Sequence, residues 1–399
     1  LKLSKELKLF AVLPEAPGAP FFLPNGTVLY NELTKLIREK VFPRNYLEVF
    51  TPLILDKKLW VISGHWDHYK ENMYFTKIDG MDYGIKPMNC PGHILVYKNE
   101  RHSYRDLPIR ISEFGTVHRH ELSGVLNGLL RVRKFTQDDS HIFCTVEQVK
   151  DEALAVIRLL DEVYKVFGFS YALELSMRPE KNFAGTIAQW DEAEKILNQV
   201  LKESGKQFKL NPGEGAFYGP KIDFHIQDAL GRKWQCGTIQ LDFHMPEAFG
   251  AEYFGSDDKP HTPVMIHHAI FGSLDRFLGV LIEHYAGAFP LWLSPEQVRV
   301  LSVSDKFNGY ADSVVSELRK ESIRAFPDTS NGTVSYKVRD AQLQKVPLII
   351  VVGEKEQGDD SVTIRWRSGE LFEQIPLKEF ISAVRQHIAS RSMVLPSFK

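Results

Sequence analysis

Leu29, Leu33, Leu36, Ile37 and Val41 recur at helical spacing, and the stretch that follows, YLEVFTPLIL (46–55), is β-branched and aromatic. The pattern predicts a helix running into a strand. Proline cannot donate to a ladder and is kept to edges and bulges, so Pro52 predicts a sheet margin, a place where a second subunit could meet the first. Thr145 and Gln148 form a capping-box pair ahead of a helix over 146–167, which Gly168 ends. A further helix is predicted over 188–204, stopping at Gly205.

Between these helices, DFHIQDALGRKWQCGTIQLDF (223–243) reads as a hairpin turning near Gly231, so much of the first 290 residues is expected to be an antiparallel sheet with flanking helices. After FPLWLSPEQ (289–297) the pattern alternates strand, helix, strand and helix through RVLSVS, DSVVSELRK and VPLIIVVG to a last helix around 377–389. The expected architecture is an α+β domain with an antiparallel sheet over 1–294 and a smaller α/β domain over 295–399, divided near Pro295. Internal repeats and low-complexity tracts are not evident.

At 399 residues, 43% hydrophobic and 25% charged, the chain reads as globular and soluble. Its longest obvious apolar run, LIIVV (348–352), is far short of a membrane span. The opening LKLSKELKLF alternates charge with leucine and begins without methionine, reading neither as a signal peptide nor as a natural start. Three widely spaced cysteines, Cys90, Cys144 and Cys236, argue against a disulfide framework and for a reducing compartment: cytoplasm, with the mitochondrial matrix as the alternative. The net charge of −2 decides nothing about nucleic acid, because a basic groove can sit on a neutral protein.

Candidate chemistry collects on strands. Alternation puts Phe135, Gln137, Asp139, His141 and Phe143 of FTQDDSHIFC on one face, and Cys236, Thr238, Gln240 and Asp242 of WQCGTIQLDF on one face. Such polar faces are either solvated or built around a ligand. RISEFGTVHRHE (110–121) ends with Arg119, and the loop SGVLNGLLRVRKF adds Arg131, Arg133 and Lys134, an arrangement suited to gripping phosphates with guanidinium forks. In GSLDRFLGVLIEHY (272–285), Ser273 and Arg276 sit one turn apart on a helix whose buried side is Leu274, Phe277, Leu278, Leu281 and Ile282. Neither GxxxxGKS nor a strand-following GxGxxG is present. KPMNCPGH (86–93) wedges a lone thiol among prolines, glycine and asparagine, an odd place for a core cysteine.

The segment ending at Pro52, FGTVHRHE with its loop, and GSLDRFLGVLIEHY resemble motifs one, two and three of class II aminoacyl-tRNA synthetases. More narrowly, SGHWDHY, KPMNCPGH, FTQDDSHIFC, EGAFYGPKIDF, GTIQLDF and PVMIHHAIFGS, in this order, resemble those of the threonyl-tRNA synthetases. The resemblance spans 18–292, and the tail resembles the anticodon-binding domain of several class II relatives. It implies a ligase that activates L-threonine with ATP and charges tRNA(Thr), working as a homodimer away from membranes. It also implies Zn2+ on Cys90, His141 and His267, a set whose wide spacing carries little signal by itself, and Mg2+ accompanying ATP. Met88, Gln137, Asp139, Tyr218 and Gln240 would then bind threonine. Arg119, Glu121, Arg131, Phe135, Gln235, Ser273 and Arg276 would bind the nucleotide, and Arg119, Arg276, Lys221 and His65 would act in catalysis. Alternative readings stand beside two of these: a turn aromatic for Tyr218 and a surface histidine for His65.

Two departures qualify the resemblance. The anticodon signature appears as SNG (330–332), keeping Asn331 without its charged neighbours and weakening the expectation of anticodon reading by Asn331, Glu356 and Arg365. The amino-terminal domain that hydrolyses mischarged seryl-tRNA in most bacterial members has no counterpart in this sequence, so that activity is not expected of it. A non-catalytic accessory protein on the same fold is the competing reading, and such a relative should have lost the arginines and ligands that are all present here. A zinc hydrolase would want an HExxH helix, which is missing.

Overall fold

The structure, a computed structural model, describes residues 2–227 and 231–398. Its two compact units are Val12–Pro20 with Leu33–Val280, and Leu1–Ala11 with Phe21–Glu32 and Leu281–Lys399.

The first unit is built on an eight-stranded sheet. Its strands are β1 (Tyr46–Glu48), β2 (Ile109–His118), β3 (Lys134–Cys144), β4 (Tyr171–Ser176), β5 (Phe208–Asn211), β6 (Lys221–Gln227), β7 (Lys233–Asp242) and β8 (Val264–Ser273). They lie in the order β5-β4-β6-β7-β8-β3-β2-β1, parallel at the two margins and antiparallel between them. β3 and β8 are buried along nearly their whole length, as strands covered on both faces must be. Helix Val149–Val166 supplies one cover, presenting Val149, Ala153, Val156, Leu160 and Val163, and its Tyr164 hydroxyl donates to the Ile270 carbonyl at 2.7 Å. The Thr145–Gln148 capping box is present, with a 3-10 turn over Val146–Gln148 before the α-helix proper.

The stretch 46–55 is not one strand. β1 ends at Glu48 on the edge of the large sheet, and Ile54–Asp56 joins a separate three-stranded sheet with Tyr74–Ile78 and Met81–Ile85. Pro52 lies in the exposed bend between them, where its missing donor goes unneeded. The predicted hairpin is β6 and β7; residues 228–230 of its turn lie outside the described residues.

The second unit carries a five-stranded mixed sheet in the order Ala325–Asp328, Val298–Ser302, Leu348–Val352, Ser361–Trp366, Leu371–Pro376, the first three strands parallel and the last two antiparallel. Val300, Leu348, Ile350, Val362 and Ile364 form its core with Val314, Leu318, Phe380 and Val384 from the helices. LFEQIP escapes a pattern reading because the margin of the sheet leaves most of it exposed, whereas SVTIRW lies between two neighbouring strands. No helix among the described residues is long and apolar enough to cross a membrane.

On the helix-covered side of the large sheet, one carboxylate holds a bulge. Asp138 Oδ2 accepts from the Ile270 and Phe271 N–H groups, each at 2.9 Å, where the register of β8 against β3 shifts between Ala269 and Ser273. Burial raises the Asp138 pKa to about 8, although the two N–H donors favour the ionised form. The folded protein therefore holds a proton that the unfolded chain has lost above the ordinary aspartate value of about 4. Stability contributed in this way is complete below that value and declines as pH rises towards about 8. Urea denaturation at pH 5 and pH 8 should show the decline in the wild type and a smaller one in Asp138→Asn, whose carbonyl still accepts both N–H groups. Equal declines in the two proteins would place the proton elsewhere.

Candidate active site

Residues directly opposite one another in a ladder share a face, so the pairing of β2, β3, β8, β7 and β6 sorts side chains into rows. One row runs Ile111, His141, His267, Gln240, Lys221; the next runs Glu113, Asp139, Ala269, Thr238, Asp223. A third joins Gly115, Gln137 and Ser273. Successive rows are about 7 Å apart.

The first row contains a cluster with Cys90, which starts helix Cys90–Lys98 and is buried. Donor atoms of Cys90, His141 and His267 lie within 4.8 Å of one another. His141 Nε2 and His267 Nδ1 are 2.9 Å apart, and the other nitrogen of each ring is engaged elsewhere. His267 Nε2 lies 2.9 Å from Asp242 Oδ2, and in a neutral ring an Nε2–H donated there leaves the lone pair on Nδ1. His141 Nδ1 meets His93 Nδ1 at 2.7 Å. Burial keeps the His141 imidazole well below its usual range and therefore neutral, as a metal ligand must be. Burial, aided by the Asp139 and Asp242 carboxylates, pushes the Cys90 thiol up, so a thiolate here needs a cation beside it. Thiolate and two neutral imidazoles form a donor set that fits zinc and leaves room for a further ligand.

The octapeptide around Cys90 supplies more than the thiol. Asn89 Nδ2 donates to Asp139 Oδ2 at 3.1 Å, and burial pushes the Asp139 carboxyl up. Lys86, buried, lies 3.3 Å from Glu113 Oε1, and Glu113 also accepts from Thr51 N–H at 2.8 Å and from His93 Nε2 at 3.0 Å. Burial would raise the Glu113 pKa, but these donors and the ammonium bring it down to about 2. Met88 is half-buried, its sulfur 2.9 Å from His65 Nε2. His65 is no surface residue: it is 0% exposed, with Nδ1 2.8 Å from Ser63 Oγ. Burial and the charge of Arg119 lower its pKa to about 3, and each ring nitrogen faces a partner.

The second and third rows open into a cavity of about 200 Å³. Arg119, Glu121, Arg131, Phe135, Gln235, Ser273 and Arg276 all line it. Arg119 lies over the Phe135 ring at 5.1 Å, making one cationic and aromatic wall. Arg276 is held by the Leu130 carbonyl at 3.0 Å and the Gln235 carbonyl at 3.2 Å, and Ser273 Oγ accepts from its backbone N–H at 3.1 Å. Arg131 pairs with Glu121 at 2.9 Å. Arg133 and Lys134 do not line the cavity. The Arg133 guanidinium is taken up by the Glu121 carbonyl at 2.8 Å and Ser123 Oγ at 3.2 Å, bracing the loop. Gln235 and Cys236 both reach the cavity because a bulge opposite Phe224 and His225 interrupts the alternation of β7.

Lys221 lies 2.9 Å from Asp223 Oδ2, and Asp223 also accepts from Ser176 Oγ at 2.7 Å and from the Gln235 amide. Tyr218 lies in the turn between Ala216 and Gly219, and its ring lies against His267 at 4.9 Å. Gln240 donates to the Gly219 carbonyl at 3.0 Å and fixes that turn. In the second unit Asn331 is exposed, while Glu356 is occupied by Gly353 N–H at 2.9 Å and Thr363 Oγ1 at 2.7 Å. Arg365 sits opposite Ile349, two residues along the strand from Thr363 and on the same face as it. Asn89, His93, Glu113, Asp223 and Asp242 escaped the sequence reading as working parts. A signal existed for Asp242, which shares the alternating face of Gln240.

Residues 74–285 match the family model for the tRNA synthetase class II core domain (G, H, P, S and T), and residues 297–387 match the anticodon binding domain. The threonine–tRNA ligases of Carboxydothermus hydrogenoformans and Thermotoga maritima are 55% and 53% identical over 98% and 99% of this chain. The chain spans 61% and 62% of those relatives' lengths. A crystal structure of the RNA binding domain of threonyl-tRNA synthetase from Cryptosporidium parvum superposes with a TM-score of 0.93 at 44% identity, covering 99% of this chain and 98% of that one.

Gly115 probes the packing behind Asp139. A Cβ there would fall 2.1 Å from Asn89 Oδ1, so Gly115→Ala must displace the amide that donates to Asp139. Overpacking of this kind costs about 1–3 kcal/mol. The urea midpoint should fall accordingly, and an unchanged midpoint would mean that Asn89 moves freely and does not fix Asp139.

Proposed function

The chain belongs to the threonyl-tRNA synthetases, within the class II aminoacyl-tRNA synthetases, and from that premise we propose that it activates L-threonine with ATP and transfers the threonyl group to tRNA(Thr). The observation that carries the reading is the adjacency of two features on one sheet face: the Cys90, His141 and His267 cluster, and the cavity lined by three arginines and Phe135. In this reading Cys90, His141 and His267 hold zinc, and magnesium accompanies the ATP.

Zinc would supply a Lewis-acid site for the amino and hydroxyl groups of threonine. Asp139 accepts from the hydroxyl, Gln137, Tyr218 and Gln240 orient the amino acid, and Met88, backed by His65, closes the pocket. The Arg119 and Phe135 wall receives the adenine ring and the α-phosphate, Glu121 reads the adenine amino group, and Arg131 and Arg276 take the outer phosphates. Gln235 and Ser273 complete that side. Attack by the threonine carboxylate on the α-phosphorus forms threonyl-adenylate and releases pyrophosphate, so the chain contributes positioning and charge stabilisation. Lys221, steadied by Asp223, adds positive charge at the junction of the two rows.

An apolar pocket separates isosteres poorly, whereas a site built to bind a hydroxyl rejects the analogue lacking it. ATP–pyrophosphate exchange should therefore be fast with threonine, measurable with serine and nearly absent with valine, and chelation of the metal should abolish it. Arg119→Ala should lower threonine exchange by roughly 10²–10³-fold, the scale of a lost donor to developing charge. Comparable rates with valine and serine would remove the metal from amino-acid selection, and a near wild-type rate in Arg119→Ala would move the nucleotide elsewhere.

A homodimer belongs to the same proposal. Phe42, Leu47 and Phe50 are 78%, 62% and 81% exposed on and around the edge strand β1, where apolar side chains and an open ladder call for a partner. Sedimentation velocity at micromolar concentration should give a dimer that Phe50→Asp and Leu47→Asp weaken; a monomeric wild type would contradict it.

A further inference from the structure

We infer that His93 and Glu113 form a hydrogen-bond relay that sets the tautomer of His141 and so prepares the metal site from a distance. The inference rests on the metal reading of Cys90, His141 and His267 and adds to it two positioning residues.

The donor and acceptor roles in the relay follow from one fixed end. Glu113 is held as a carboxylate by Lys86 at 3.3 Å, the Thr51 N–H at 2.8 Å and the Thr51 hydroxyl at 2.9 Å. A carboxylate only accepts, so the 3.0 Å contact with His93 Nε2 requires Nε2–H on His93. A ring with that one proton has its lone pair on Nδ1, and the 2.7 Å contact with His141 Nδ1 then places the donated proton on His141. A cation bound to the cluster would take the Nε2 lone pair of His141, the atom that faces His267 Nδ1 at 2.9 Å, and the ring's one proton then sits on Nδ1, against His93. On the other side a single step does the same: Asp242 accepts from His267 Nε2–H and frees Nδ1.

With a cation bound, both ring nitrogens that face it offer lone pairs, and each opposite N–H ends on a carboxylate, directly for His267 and through His93 for His141. Carboxylate-backed histidines orient a metal ligand and raise its basicity. His93 is 0% exposed and stands edge-on to His141 at 4.6 Å between ring centroids, so rotation cannot exchange its two nitrogens without disturbing both partners. One short stretch supplies the thiol of Cys90, the relay ring of His93 and the ammonium of Lys86 that pairs with Glu113.

The test is zinc affinity, measured on the full chain by competition with a chromophoric chelator, with zinc as the probe. His93→Phe keeps the aromatic shape and removes both nitrogens. It should weaken zinc binding roughly 10–100-fold, the usual effect of losing an outer partner. It should also shrink the zinc-induced rise in Tm, which a change of packing alone would leave intact. Undiminished affinity in His93→Phe would overturn the relay. A wild type that binds no zinc would instead overturn the metal reading beneath it. If His93→Phe does not fold, nitrogen-15 imidazole spectra of the zinc-loaded wild type decide the matter: Nε2–H at His93 supports the relay, and Nδ1–H at His93 overturns it.

Discussion

His141 and His267 face each other across the β3–β8 ladder with 2.9 Å between ring nitrogens, and both are buried. A buried polar atom without a partner is destabilising by more than a typical hydrogen bond contributes, so the surroundings of this pair must answer for every lone pair and every N–H. Asp242 meets one ring, His93 and Glu113 meet the other, and Lys86 with Thr51 answers Glu113. The helix that begins at Cys90 is fixed against the sheet by the same chain of partners.

The neighbouring rows follow from that register. Two residues along β3 from His141 comes Asp139, steadied by Asn89, and two further comes Gln137, beside the bulge that Asp138 clamps from beneath. The bulge turns the chain from β8 into helix Leu274–His284 and presents Ser273 and Arg276 to the cavity. The Cys90, His141 and His267 cluster, the row of Asp139 and the cationic cavity are therefore successive steps along the same few strands.

Much of this was legible in sequence where it depended on local period. The Thr145–Gln148 capping box, the alternation of FTQDDSHIFC and the helix after Gly272 rest on side chains only a few residues apart. Spacing alone did not bring Cys90, His141 and His267 together, because strand order decides that. Gln235 defied the alternation of β7 through a bulge. Arg131 and Arg133 look alike in sequence, yet one lines the cavity and the other braces a loop, because both precede β3 in an irregular stretch where strand alternation does not hold. His93 was hidden because its partners, Glu113 and His141, lie on strands that only the folded sheet sets beside its helix.

The central claim is that a metal on this sheet face reads the threonine hydroxyl. Zinc-edge X-ray absorption of the purified protein tests it most directly. The account predicts one sulfur and two imidazoles around the metal, with oxygen and nitrogen donors added when threonine is present and no change with valine. A spectrum without sulfur, or one that responds to valine as it does to threonine, would contradict it.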